Sequence, residues 1–332
     1  MFKLINKLNK KELGLSNIYE HFIAEKKGFL YCTKKEIKRF DVVGNQDAIL
    51  CDSKNPIFLK KSGDELFIKD NYDTLLIYNM LNNNKNIIYN VGNRLISLVN
   101  NNVAIYYSKI ENDNYFGIYD FRSGQYNWKL KNIRGLRAID NFLFNYDNDV
   151  IEKFNYESGK SCWNLSLQNL KSLNNNRHFI GIYNYILIIG IGSDWLIGID
   201  TQTGRLLWKH KTIPDFDILD KEKGILHSIT SGYVKRDATT GEIIDLFDNR
   251  DYFEEEAGIA SQRDNYVISG KHLITTDWRK GRIGAFNTET HQFDWIYDEP
   301  GVGFPGGLMM EYYDPYLFIM DSRRNLHVFE KE

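Results

Sequence analysis

Proline is scarce in this chain, with 5 among 332 residues. Its turns must therefore be made by Gly, Asn and Asp, which tolerate positive φ or bond their own turn backbone. Cysteine is scarcer: Cys32, Cys51 and Cys162 are odd in number and far apart. That fits reduced thiols in a cytoplasmic protein better than a disulfide framework. Long apolar runs are missing, the most apolar stretch being residues 185–191, far short of the roughly 20 residues of a membrane-spanning helix. Residues 1–11 carry Lys3, Lys7, Lys10 and Lys11 but no apolar core of a secretory signal. Neither sign of charge dominates: the formal net charge is −2, so no basic field exists to collect the phosphates of a nucleic acid. The expectation is a cytoplasmic protein with neither a membrane nor a nucleic acid as partner.

What is abundant is strand chemistry. Tyr (21), Phe (20) and Trp (6) are plentiful, and apolar residues come in short runs separated by turn residues rather than at helical spacing. One phrase recurs: Asp or Asn ends a strand, Gly follows four residues later, and Trp four after that. Asp120, Gly124 and Trp128 carry it, as do Asn155, Gly159 and Trp163, and Asp200, Gly204 and Trp208. Asp237 and Gly241 are followed by Asp245 at the Trp position, while Asn287 and Trp295 frame His291 at the Gly position. Weaker copies start at Asp41 and Asn79, and a half-copy covers residues 326–330. Successive anchors lie 35 to 50 residues apart, each preceded by further short apolar strands. Four antiparallel strands at a period near 40 residues predict an all-β propeller. Eight blades is the count taken, with seven as the alternative, in one domain over residues 1–332. The half-copy lacks an outer strand, which residues 2–8 are expected to supply, closing the ring and covering its sheet edges.

The Asp-x3-Gly-x3-Trp phrase resembles the repeat of quinoprotein-like (PQQ-like) propellers across residues 41–330, in a ring of the WD40-like kind. The resemblance implies that Trp128, Trp163, Trp208 and Trp295 pack between blades, and that contacts are looser near Ile49, Ile87 and Asp245. The family also contains enzymes that bind a quinone and Ca²⁺ beside a disulfide of adjacent cysteines. This chain has no adjacent Cys pair and no Asn-Asp-Glu ligand cluster, so a PQQ-dependent dehydrogenase is the least favoured reading.

No catalytic, cofactor-binding or metal-ligating residues are assigned. The seven His residues show no His-x-His or His-Glu-x-x-His spacing, and no nucleophile elbow or phosphate loop occurs. Partner binding has more material. Turns joining second to third strands, and links joining blades, gather on one face of a propeller. There the sequence places Asp194, Trp195, Phe253, Glu254, Glu255, Glu256, Trp278, Arg279, Lys280, Phe304, Arg323 and Arg324. Trp and Arg often anchor protein interfaces, and the 50-residue step between Asp237 and Asn287 marks an enlarged link. The expected function is a non-enzymatic propeller binding a protein partner, with a bacterial immunity protein that caps a toxin as its more specific form. The alternative is a hydrolase of sugars or lactones at the channel mouth, using Asp194, Asp277 or Glu254. Oligomeric state is left open between a monomer and a higher assembly.

Overall fold

In the computed structural model the chain forms eight four-stranded antiparallel sheets arranged as the blades of a propeller. The structure describes residues 1–9, 13, 22–53, 56–70, 74–88, 94–110, 113–121, 123–131, 135–147, 149–170, 177–192, 194–212, 217–229, 232–259, 266–277, 280–304 and 310–332. In chain order, blade 1 spans 22–52, blade 2 56–88, blade 3 94–131, blade 4 137–166, blade 5 177–211, blade 6 218–247 and blade 7 266–298. Blade 8 takes three strands from 310–331 and its outer strand from Phe2–Leu8. Phe2 pairs with Lys331 and Leu8 with Leu326, so residues 2–8 close the ring as the half-copy predicts, and the count is eight rather than seven.

The repeated phrase is a hairpin with a fixed job. At Asp200 the carboxylate accepts the backbone N–H groups of Gln202 and Thr203, both at 2.8 Å. Gly204 completes the turn at φ +73, a left-handed conformation that costs a residue with a Cβ. Trp163 of the preceding blade lies on that glycine: a Cβ added there would come within 2.6 Å of the indole. Its Nε1 donates to the Thr201 carbonyl at 2.9 Å. Trp128 repeats the arrangement one blade earlier, lying on Gly159 and donating to the Tyr156 carbonyl at 2.8 Å. Trp208 lies against Gly241 of blade 6, where His210 Nε2 bonds the Thr240 carbonyl at 2.9 Å. Asp, Gly and Trp recur together because the Trp of one blade needs the Gly of the next.

The outer strands also share a bulge. It falls beside Trp128, Trp163, Trp208 and Trp295, and at the same register beside Asp245 and Asn6. In blade 1 it is displaced to Ile37/Lys38, and blade 2 pairs without one. Blades 1 and 2 are the ones whose sequence copies are weakest. Burial follows the same plan: among the described residues a hydrophobic cluster lies at each of the eight blade junctions and none is confined to a single blade.

Two departures from the phrase turn out to be halves of single contacts. Asp245, in the Trp position of blade 6, meets His291, in the Gly position of blade 7, at 2.8 Å. His291 adopts φ +58 and stacks on Phe247 at 5.0 Å. The junction at Asp245 is therefore polar and specific rather than loose. At the closure, Asn6 holds the Trp register and its Nδ2 donates to Oδ1 of Asn45, which holds the Gly position of blade 1, at 2.9 Å. Ile49, by contrast, is 58% exposed, and the contact there is loose as expected.

Candidate functional site

In an up-and-down blade, the turn between second and third strands and the link to the next blade lie at the same end. Around blades 6 to 8 these segments bond to one another. The link after blade 6 contains one turn of π-type helix, Tyr252–Glu256. Phe253 is wholly buried among Tyr233, Phe286 and Phe293, and the Tyr252 hydroxyl accepts the Phe293 N–H at 2.7 Å. This peg fixes the following acidic residues. Glu255 and Glu256 are exposed, while Glu254 pairs with Arg250 at 2.8 Å.

The adjoining turn of blade 7 reaches back to this link. Lys280 Nζ donates to the Glu254 carbonyl at 3.2 Å, and Arg282 donates to the Ala257 carbonyl at 3.0 Å. Asp277 is buried and accepts the Lys280 N–H at 2.8 Å. On the far side, the Glu299 N–H donates to the Gly281 carbonyl at 2.9 Å, joining this turn to the link after blade 7. Phe304 is the peg of that second link. It is wholly buried against His327 at 5.2 Å, and its carbonyl accepts the Thr276 hydroxyl at 3.1 Å. Arg323 donates to the Gly301 carbonyl at 2.9 Å, and Ser322 N–H to the Gly303 carbonyl at 2.7 Å. Arg324 follows at φ +66, half-buried, while Arg323 stands exposed.

The expected contact residues thus divide by role. Glu254, Glu255, Glu256, Lys280, Arg323 and Arg324 share one hydrogen-bonded sector of the loop face. Phe253 and Phe304, expected as contacts, are corrected to anchors: an aromatic ring leading a long link is better placed in the adjacent core than in water. Asp194 and Trp195 lie apart, on blade 5. Trp195 begins a strand, packs into the cluster between blades 4 and 5, and has Lys209 over its ring at 5.7 Å. Asp194 ties its turn to the next link, its carbonyl accepting the Thr212 N–H at 2.9 Å. Trp278 and Arg279 lie outside the described residues.

Beneath the sector runs a polar network that sequence reasoning missed. Glu299 accepts Lys7 of the closing strand and the Tyr297 hydroxyl, the latter at 2.6 Å. His327, wholly buried, lies 3.5 Å from Glu299 and bonds Asp321 at 3.0 Å. Asn325 satisfies both carboxylate oxygens of Asp321. Burial works to raise both acids, but Lys7, Tyr297 and His327 draw Glu299 down, and His327 and Asn325 draw Asp321 down, below the usual carboxylate range. The available signal was His327 among the apolar residues Leu326, Val328 and Phe329. Among the described residues, no group of three or more His, Cys, Asp or Glu could hold a metal ion, and no helix is long and apolar enough to cross a membrane.

The fold has solved counterparts. The crystal structure of BamB from Moraxella catarrhalis aligns with a TM-score of 0.62 at 13% identity, over 99% of this chain and 100% of that one. The computationally designed Ika8 protein gives 0.63 at 13% identity, over 96% and 98%. A chain of the Mitotic Checkpoint Complex gives 0.53 at 12% identity, over 99% and 94%. At such identities the likeness is one of fold alone. No protein-family model matches the sequence, and no curated protein matches it either.

Proposed function

We propose that the chain is a non-enzymatic propeller that binds a protein partner through the loop sector over blades 6 to 8. The observation that carries this reading is the anchoring of both links. Phe253 and Phe304 are wholly buried, so the sector meets a partner with little loop-ordering entropy still to lose. Its outward charges are of both signs, with Glu255, Glu256 and Lys280 at the link after blade 6 and Arg323 at the link after blade 7. A surface carrying both signs suits a protein partner better than a polyanion. The match to a chain of the Mitotic Checkpoint Complex agrees with a propeller that works inside an assembly. The Trp-on-Gly junctions support placing the chain among quinoprotein-like repeat propellers, and the three cysteines, none in a disulfide, support a cytoplasmic setting. Within that reading, the more specific role is a bacterial immunity-type protein that caps a toxin, its two charge groups meeting opposite charges.

The test compares wild type with Arg323→Glu/Arg324→Glu and Glu255→Lys/Glu256→Lys as immobilised baits in lysate of the native cell. One and the same protein should be retained by wild type and lost from both variants. Melting temperatures should stay within about 4 °C, since losing the exposed Arg323 bond to the Gly301 carbonyl and altering the half-buried Arg324 cost about 1 kcal/mol. Retention by both variants would place the partner elsewhere. For the immunity role, the retained protein should arrest growth when expressed alone and be neutralised by the wild-type propeller only.

A further inference from the structure

The outer strand of every blade is a sheet edge, and an edge needs protection from pairing with foreign strands. Most outer strands here turn polar side chains to solvent. Blade 5 shows Lys209 and Lys211 with one apolar residue, Leu207, and blade 7 shows Gln292, Asp294 and Asp298 with one, Ile296. Blade 6 differs. Its outer strand, Ile243–Phe247, exposes Ile243 at 51%, Ile244 at 54% and Leu246 at 55%. The bulge between Lys235 and Arg236 explains why two successive isoleucines face outward. The polar residue of this strand, Asp245, is engaged by His291 and leaves the edge unguarded. No further strand pairs with it among the described residues. Acidic residues bracket the apolar stretch, with Glu242 before it and Asp248 after it, both exposed.

We propose that this edge accepts an extended segment of another protein as a fifth strand of blade 6. The segment would carry apolar side chains at alternate positions and a basic residue at each end. Backbone hydrogen bonds supply adhesion in such strand addition, and the side chains supply selection. Ile243, Ile244 and Leu246 receive the apolar side chains, and Glu242 and Asp248 receive the basic ends. The charges also reject a second copy of this chain. Symmetric antiparallel pairing centred on Asp245 sets Glu242 of one copy opposite Asp248 of the other, acid against acid at both ends. This site is on the rim of the ring, apart from the loop sector, and stands independently of the function proposed for that sector.

Two synthetic peptides of the same alternating Val-Thr core test the proposal, one ending in Lys at both sides and one in Glu. The Lys-ended peptide should slow amide exchange of residues 243–248 and bind at least about tenfold more tightly than the Glu-ended one. Leu246→Lys should abolish that binding, and Glu242→Lys/Asp248→Lys should reverse the preference between peptides. Neither substitution touches a buried residue, and circular dichroism and melting confirm the fold of each variant. Equal binding of the two peptides, protection at another blade, or no protection at millimolar peptide would overturn the proposal. So would a wild-type dimer in sedimentation that Leu246→Lys dissociates, since the occupant would then be a second copy.

Discussion

Gly204 and Gly270 separate two costs that glycine substitutions usually mix. Both are left-handed, at φ +73 and φ +64, but a Cβ on Gly270 meets nothing within 4 Å while one on Gly204 meets Trp163 at 2.6 Å. Gly270→Ala should lose only the backbone preference, about 1 kcal/mol. Gly204→Ala should lose clearly more, and most of the excess should vanish in a Trp163→Ala background, read as coupling in a urea double-mutant cycle. Charge gives a second prediction at this scale. Burial, opposed by Asp220, pushes the His227 imidazole down to about 4 from the ordinary 6.5. The unfolded chain therefore takes up a proton that the folded one refuses, and stability falls by about 3 kcal/mol as pH drops across that window. Glu311 acts in the opposite sense. Burial pushes its carboxyl up to about 6 from 4.5, against the pull of the Ala24 N–H, so the folded chain is protonated first and acidification stabilises it. Glu311→Gln removes that offset. The variant should be more stable than wild type at neutral pH and lose stability more steeply between pH 6 and 4.5, measured by urea unfolding.

At the scale of the element, the hairpin phrase is a two-blade unit, because Trp and Gly of one contact sit in successive copies. The pair Asp245 and His291 should then be exchangeable for the common version as a unit. Asp245→Trp alone drives an indole into His291, and His291→Gly alone leaves Asp245 without its 2.8 Å partner. Each should cost about 2 kcal/mol, whereas Asp245→Trp with His291→Gly should return to within about 1 kcal/mol of wild type. Urea midpoints of the four proteins check this. The same pair shows what could be read from sequence. Strand order, blade count and the turn glycines were legible because period and turn chemistry are local signals, repeated many times. The partnership of Asp245 with His291 was visible only as two separate lapses, since a contact across 46 residues leaves no local trace. The links of blades 6 to 8 were legible as loops but not in depth. Phe253 and Phe304 stand in links whose sequence looks exposed, and only the neighbouring blade's core reveals that both rings are inserted there. Trp195 shows the matching limit: an aromatic beside a turn can belong to the first residue of a strand.

For the whole molecule, the decisive bond set is the one that turns an array of blades into a ring. The strand Phe2–Leu8 is held by its register with Leu326–Lys331, by Lys7 on Glu299 and by Asn6 on Asn45. Phe2 adds a wedge: it is buried 5.4 Å from Trp295 and 6.1 Å from Tyr312. Trp295 thus meets an aromatic ring where Trp128, Trp163 and Trp208 meet a turn glycine. Apart from Asn6 on Asn45, these contacts join residues some three hundred positions apart, and contacts of such separation form after local hairpins have paid for most of the chain entropy. They are therefore expected to form after the folding transition state and to act on the unfolding rate. Phe2→Ala should cost about 3 kcal/mol, accelerating unfolding by about a hundredfold while leaving the refolding rate within a factor of about two. Trp163→Ala, inside a run of sequential blades, should slow refolding as well. Stopped-flow urea kinetics distinguish the two. A Phe2→Ala effect carried on the refolding limb would mean that the ring closes early, with the closing strand as part of the nucleus rather than the last piece to dock.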